Sequence, residues 1–144
     1  MSDNIRIYKD SPTAGGTNGT LVSTGTGASP IESGYILAPG SDYTEGEWIK
    51  LALRCQSGYK TVEASSRHAR VTIEDSTHVT KWQLAPDNAG TPGTPMSWGA
   101  SLDFASEIGA TNTIFWARAR VQTGEGAAND TSVDIEVNAA LAAA

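Results

Sequence analysis

Two histidines, His68 and His78, are the side chains of this 144-residue chain best suited to acid–base chemistry or metal binding near neutral pH. Metal sites usually take three or four ligands in a fixed geometry, and neither histidine lies in a His-x-His or comparable spacing. Cys55 is the sole cysteine, which excludes an internal disulfide and a multi-cysteine zinc site. The sequence therefore predicts exposed histidines and no metal or other cofactor.

The serines and acidic residues show no arrangement typical of an enzyme. A Gly-x-Ser-x-Gly segment, which would present a nucleophilic serine on a sharp turn, does not occur in the sequence. Asp42, Glu45 and Glu47 lie close together, but their spacing lacks the alternating ligands, central glycine and closing glutamate of an EF-hand loop. We interpret this acidic cluster as a solvated turn and predict that the protein is not an enzyme.

The four tryptophans give a better indication of a binding role. Trp48 and Trp116 fall on the faces opposite the aliphatic residues of their predicted strands, so we expect both to point outward. Exposed aromatic rings bind sugars in carbohydrate-binding modules, whereas a large exposed apolar surface more often contacts another protein. We therefore predict a protein interface, with carbohydrate binding as the alternative. Its candidate residues are Trp48, Trp116, Tyr35 and Arg118.

The strands that position these residues are clearest in the last third of the chain, where two runs alternate between apolar and polar side chains. The apolar positions are Phe115, Ala117, Ala119 and Val121 in the first run, and Val133, Ile135 and Val137 in the second. Period-two alternation is typical of half-buried strands. Folded back as a hairpin around a glycine-rich turn, the runs would set Arg118 and Arg120 beside acids of the second strand. Those acids are Asp134 and Glu136.

Further short apolar runs, separated by turn sequences, continue the pattern upstream. Strands spaced at roughly ten residues, without a helical period longer than about two turns, predict an all-β fold and an antiparallel β-sandwich. Cys55 shares a strand face with Leu51 and Leu53, so we predict a buried thiol. Residues 1–40 are rich in Gly, Ser, Thr and Pro, which predicts an extended N-terminal arm with short strands, followed by a sandwich domain over residues 41–144.

Charge and hydropathy exclude two classes of partner. The net charge of −6 disfavours nucleic-acid binding, which needs a basic patch to displace counterions from phosphate. No segment approaches the roughly 20 apolar residues of a membrane helix, and no secretory signal is recognisable. The composition nevertheless suits a surface-exposed β-rich protein, so we expect assembly into a particle inside a cell, followed by release on lysis.

Four segments of the chain match a recurring pattern: Lys81–Leu84, Trp98–Leu102, Glu107–Arg118 and Gly124–Val137. On these segments the chain resembles small immunoglobulin-like β-sandwich proteins encoded among the structural genes of phages and prophages. The resemblance implies a non-enzymatic virion role that decorates a capsid or a tail. The inter-sheet cysteine pair of antibody domains is missing here, so the resemblance implies the sandwich and not that specific topology.

Taken with the resemblance, these observations predict a virion structural protein that is assembled in the host cytoplasm. Its expected partner is a viral capsid or tail protein, and we expect it to be a homo-oligomer. Nucleic acid and membrane are not expected partners.

Overall fold

In a computed structural model of the protein, residues 4–22, 43–45, 47–74, 81–122 and 134–144 are described. The strands in these ranges are β1 Ile5–Lys9, β2 Thr20–Leu21, β3 Tyr43–Glu45, β4 Ile49–Cys55, β5 Tyr59–Val62, β6 Ala69–Glu74, β7 Trp82–Asn88, β8 Thr91–Pro92, β9 Leu102–Phe104, β10 Thr113–Gln122, β11 Asp134–Asn138 and β12 Ala140–Ala143. The pairing between them is antiparallel, and helix is essentially absent from these residues. The predicted all-β class is therefore confirmed.

The largest sheet has β10 at its centre. Within the described residues its strand order is β2-β1-β4-β10-β7-β8, and β3 pairs with the distal end of β10. Trp116 of β10 lies opposite Lys50 on one side and Ala85 on the other. Because β10 has a neighbour along both edges, its side chains are fixed in register by two ladders.

The core lies between this sheet and a smaller one with the strand order β11-β6-β9. Buried side chains come from both sheets: Ile5, Ile7, Leu51, Leu53, Leu84, Phe115 and Ala117 from the larger, and Val71, Ile73, Leu102, Ile135 and Val137 from the smaller. Phe104 meets Phe115 edge to face across this core, with ring centroids 5.9 Å apart. This two-layer packing is consistent with a β-sandwich.

Cys55 is buried at the end of β4, as predicted. Its side chain is 2% exposed, and Sγ lies 3.4 Å from the backbone oxygen of Ile108. Burial raises the pKa of the Cys55 thiol, because the apolar surroundings disfavour the thiolate. The cysteine therefore acts as a small core residue.

The predicted hairpin between the last two alternating runs is wrong, although both runs are strands. β11 pairs with β6, placing Asp134 opposite Glu74 and Glu136 opposite Thr72. Both edges of β10 are taken by β4 and β7, so the register there leaves no edge for β11. The second run instead closes the smaller sheet, with Ile135 and Val137 buried in the shared core.

Three shorter expectations also need correction. The Pro- and Gly-rich sequence of residues 86–95 predicts a loop, but Pro86 lies inside β7 opposite Phe115, and the chain turns back only at residues 89–90. The backbone oxygen of Pro86 accepts from Gly93 N at 2.7 Å, which continues the pairing of β7 with β8 although proline has no N–H to donate. The acidic turn around Glu45 is partly strand, because β3 extends the large sheet. The apolar residues of 96–104 predict a strand over that whole range, but the strand there is limited to β9.

The described N-terminal segment contributes β1 and β2 to the large sheet of the same chain. β1 pairs with β4 over four residue pairs, and Ile5 and Ile7 are buried in the core. Residues 23–40 of the predicted arm lie outside the described residues, so the boundary at residue 40 stays a prediction. Among the residues described, we find no helix of the length and apolarity needed to span a membrane.

Candidate protein interface

The outward face of β10 carries a cluster of aromatic rings and guanidinium groups, hereafter the Trp–Arg cluster. Its members are Trp48, Trp98, Arg118 and Arg120. The Arg118 Cζ atom lies 4.5 Å from the ring centroid of Trp48 and 5.3 Å from that of Trp98. The Arg120 Cζ atom lies 4.2 Å from the Trp98 centroid. Each contact is within the range of a cation–π interaction, worth about 0.5–1 kcal/mol at exposed sites and about 2 kcal/mol where water is excluded.

Three different elements bring the cluster together. Arg118 and Arg120 are two residues apart on β10 and therefore share a face, while Trp48 immediately precedes β4. Trp98 lies in the connection between β8 and β9. All four side chains are half-buried, so the rings are neither core residues nor fully solvated.

Gln83 of β7 fixes the connection that carries Trp98. Its side-chain oxygen accepts from Arg118 Nε at 2.8 Å, and its Nε2 donates to the backbone oxygen of Met96 at 2.7 Å. Backbone bonds from Met96 N to Leu84 O and from Gly99 N to Trp82 O, both 2.9 Å, hold the same segment against β7. Gln83 is buried, so these bonds position Trp98 over the arginines with little freedom.

The structure describes three of the four predicted interface residues. Trp48 and Arg118 are in contact within the Trp–Arg cluster. Trp116 points outward, as predicted, but its indole Nε1 donates to Asp87 Oδ1 at 2.9 Å. Tyr35 lies outside the described residues. Among the three described residues, Trp48 and Arg118 form a ring contact, and Trp116 lies two residues before Arg118 on β10.

Sequence reasoning missed two members of the cluster. Arg120 was recognised as outward-facing, and its two-residue spacing from Arg118 was the signal that could have included it. Trp98 had no such signal, because its position depends on Gln83, which is distant in sequence and bridges it to β10.

The opposite end of β10 is built from hydrogen bonds, in a group that we call the Asn112 clasp: Thr13, Asn18, Arg54 and Asn112. Asn112 Nδ2 donates to the backbone oxygens of Thr13 and Asn18, both at 3.0 Å. Asn112 Oδ1 accepts from Arg54 Nη1 at 2.8 Å, and the same Nη1 donates to the Asn18 backbone oxygen at 2.8 Å. The guanidinium of Arg54 also lies over the ring of Tyr8, 3.6 Å from its centroid.

Backbone bonds reinforce the Asn112 clasp. Gly15 N donates to Asn112 O at 3.0 Å, and Asn112 N donates to Gly16 O at 2.8 Å. Asn112 is only 5% exposed, so the hydrogen bonds of its side-chain amide are largely shielded from water. The clasp therefore fixes the loop after β1 to the start of β10.

Neither histidine forms part of a reactive group in the described residues. His68 is half-buried rather than exposed, because its Nδ1 lies 3.1 Å from Oγ1 of buried Thr61. Thr61 Oγ1 in turn accepts from Ile108 N at 2.8 Å. His78 lies outside the described residues. Over those residues, no three His, Cys, Asp or Glu side chains are grouped to hold a metal ion.

A separate ion pair joins β6 and β9. Arg70 binds Asp103 through two hydrogen bonds, Nε to Oδ1 at 2.6 Å and Nη2 to Oδ2 at 3.0 Å. Arg67 Nε lies 3.8 Å from the same carboxylate. The hydrogen bond from Arg70, assisted by the charges of both arginines, lowers the pKa of Asp103.

Comparison with protein-family models, curated proteins and solved structures finds no significant match to this chain. Function is therefore inferred from the residues described above.

Proposed function

We propose that the protein is a non-enzymatic virion structural protein that decorates or stabilises a phage capsid or tail through protein–protein contacts. The immunoglobulin-like form of its sandwich, its homo-oligomeric state and its assembly in the host cytoplasm belong to the same proposal. Their support is the sequence resemblance to phage and prophage structural proteins across residues 81–137. The all-β fold accords with such a role, but β-sandwiches serve many functions.

The observation that carries the binding part of this proposal is the Trp–Arg cluster. Tryptophan and arginine are enriched in the energetically dominant positions of protein interfaces. Trp98, Arg118 and Arg120 are half-buried, Gln83 bonds Arg118 and the segment that carries Trp98, and Arg120 stacks on Trp98, so a partner would meet side chains that are already ordered. Preorganisation of this kind lowers the entropic cost of association.

Carbohydrate binding is the weaker candidate for the same surface. Sugar rings stack on the faces of tryptophan side chains. Guanidinium groups lie over the rings of Trp48 and Trp98, and the indole nitrogen of Trp116 is bonded to Asp87. A sugar would have to compete with these contacts, which favours the protein interface.

The test uses the full chain together with purified phage capsid shells and tail tubes. Size-exclusion chromatography with light scattering should give an oligomer, and the protein should co-sediment saturably with capsid shells or tail tubes. The double variant Arg118→Gln, Arg120→Gln should lose co-sedimentation. The matched variant Arg70→Gln, which changes an arginine on another sheet, should retain it. A monomer that stays in the supernatant with both shells and tubes would overturn the proposal.

A glycan array separates the two candidates. Saturable glycan binding together with absent particle binding would replace the virion proposal by the carbohydrate alternative. A flat array accompanied by particle binding would remove the alternative.

A further inference from the structure

Asn18 is the one asparagine of the chain that precedes a glycine, and the bond between them lies in the loop held by the Asn112 clasp. An Asn-Gly bond is the sequence most prone to spontaneous deamidation, because glycine has no side chain to hinder approach of its nitrogen. We propose that Asn18-Gly19 is a latent deamidation site that the clasp keeps closed in the folded protein. This inference is independent of the proposed function.

The reaction proceeds through a cyclic imide. The backbone nitrogen of Gly19 attacks Cγ of Asn18, so an N–Cγ bond forms and the Cγ–Nδ2 bond breaks. The side-chain nitrogen leaves as ammonia, taking up the proton that the backbone nitrogen loses. Water then opens the ring at either carbonyl, which gives aspartate or isoaspartate at position 18 without an oxidant or reductant.

The structure holds the Asn18 amide in place at both of its polar atoms. Oδ1 accepts from Thr13 N at 2.8 Å and from Asn112 Nδ2 at 3.2 Å. Nδ2, the group that must leave, donates to Thr13 Oγ1 at 3.1 Å. Rotating the amide carbon toward the Gly19 nitrogen requires these bonds to break, so cyclisation has to wait for the clasp to open.

Gly19 is closely packed and has a backbone conformation that favours glycine. Its φ is +116°, and a Cβ added there would lie 3.1 Å from both the backbone oxygen of Lys9 and Cβ of Tyr8. The backbone oxygen of Asn18 also accepts from Arg54 and from Asn112. The Asn18–Gly19 peptide unit is therefore bonded at its carbonyl and closely packed at its glycine.

The isoaspartate product would itself prevent the clasp from re-forming. It inserts an extra methylene into the main chain at position 18, which displaces the backbone oxygen that Arg54 and Asn112 share. Deamidation would thus convert a transient opening into a permanent loss of the clasp.

Peptide mapping by mass spectrometry during incubation at neutral pH tests the proposal. A synthetic peptide covering residues 13–22 gives the rate without the clasp. The folded full-length chain should deamidate at Asn18 roughly ten- to hundredfold more slowly, equivalent to about 1.4–2.8 kcal/mol at 25 °C. Asn88, exposed and followed by alanine, serves as the slow internal reference.

Two variants and one control distinguish an effect of the clasp on the deamidation rate from an effect of overall stability. Thr13→Ala removes one bond from an exposed residue and should accelerate deamidation several-fold in a chain that stays folded. Asn112→Ala, measured where circular dichroism shows a folded chain, should approach the peptide rate. Thr17→Ala, in the same loop but outside the clasp, should match the wild type. Equal rates for the folded wild-type chain and the peptide, or a folded Asn112→Ala chain no faster than wild type, would overturn the proposal.

Discussion

The two ends of β10 carry different kinds of contact. At its start, Asn112 is nearly inaccessible and closes a network of hydrogen bonds around the loop after β1. At its far end, Arg118 and Arg120 stack on half-buried tryptophans. A closed polar network contributes mainly to stability, whereas ordered aromatic and cationic groups near the surface are suited to binding. The comparison assigns stability to the Asn112 clasp and partner contact to the Trp–Arg cluster.

The largest expected effect is on the stability of the clasp. Asn112→Ala should lower the free energy of unfolding by about 2–3 kcal/mol, because it removes the part-buried hydrogen bonds from the Asn112 side chain to the Thr13 and Asn18 carbonyls and to the Arg54 guanidinium. Urea denaturation measures the loss, and Thr17→Ala should change it by less than about 0.5 kcal/mol. A loss below about 1 kcal/mol for Asn112→Ala would contradict the assignment.

The same substitution should expose the core thiol more often. Cys55 is buried and its pKa is raised by burial, so a thiol reagent should react slowly with the native chain. If labelling follows unfolding, Asn112→Ala should accelerate it by roughly 30- to 150-fold, the factor that corresponds to about 2–3 kcal/mol. Identical labelling rates in the variant and the wild type would show that the clasp does not control opening near Cys55.

Loss of one arginine from the Trp–Arg cluster should lower the free energy of unfolding by less than Asn112→Ala does. Arg118→Gln removes stacking on two tryptophans and the bond to Gln83, for an expected loss of about 1 kcal/mol in the free energy of unfolding. The near-ultraviolet circular dichroism of the tryptophans should change as Trp48 and Trp98 lose their stacked neighbour. A loss as large as that of Asn112→Ala would remove the distinction between the two ends.

The smallest expected effect on stability comes from the exposed ion pair of Arg70 and Asp103, which belongs to neither end of β10. The pKa of Asp103 is lower in the folded chain than the ordinary value of about 3.9. Its contribution to stability is therefore complete above about pH 4 and is lost as the pH falls through the folded pKa. Urea midpoints measured during acidification should fall more steeply for the wild type than for Asp103→Asn. Parallel curves would show that the pair adds nothing.

Local alternation revealed the strands, but not which strands pair. β10 and the burial of Phe115, Ala117 and Ala119 were readable from period two. The partner of β11 was not, because proximity in sequence favoured β10, whereas the edges of β10 are filled by strands from earlier in the chain. Which strand pairs with a given edge depends on all the strands of the sheet, so it cannot be read from one local sequence pattern.

The candidate site was predictable to the same extent. Trp48 and Arg118 were found because each lies on a strand or at its start, where the face can be read. Trp98 was not chosen, because the strand predicted over residues 96–104 made it a candidate for burial, whereas it lies in the connection before β9. The Asn112 clasp joins residues up to 99 positions apart, so no local pattern indicates it.

The most direct test of the comparison is a co-sedimentation isotherm with phage capsid shells and tail tubes, the partners of the proposed function, measured where every variant is folded. Asn112→Ala should bind with the affinity of the wild type despite its lower stability. Arg118→Gln combined with Arg120→Gln should remain folded and lose saturable binding. Wild-type binding by the double arginine variant would contradict the assignment of partner contact to the Trp–Arg cluster.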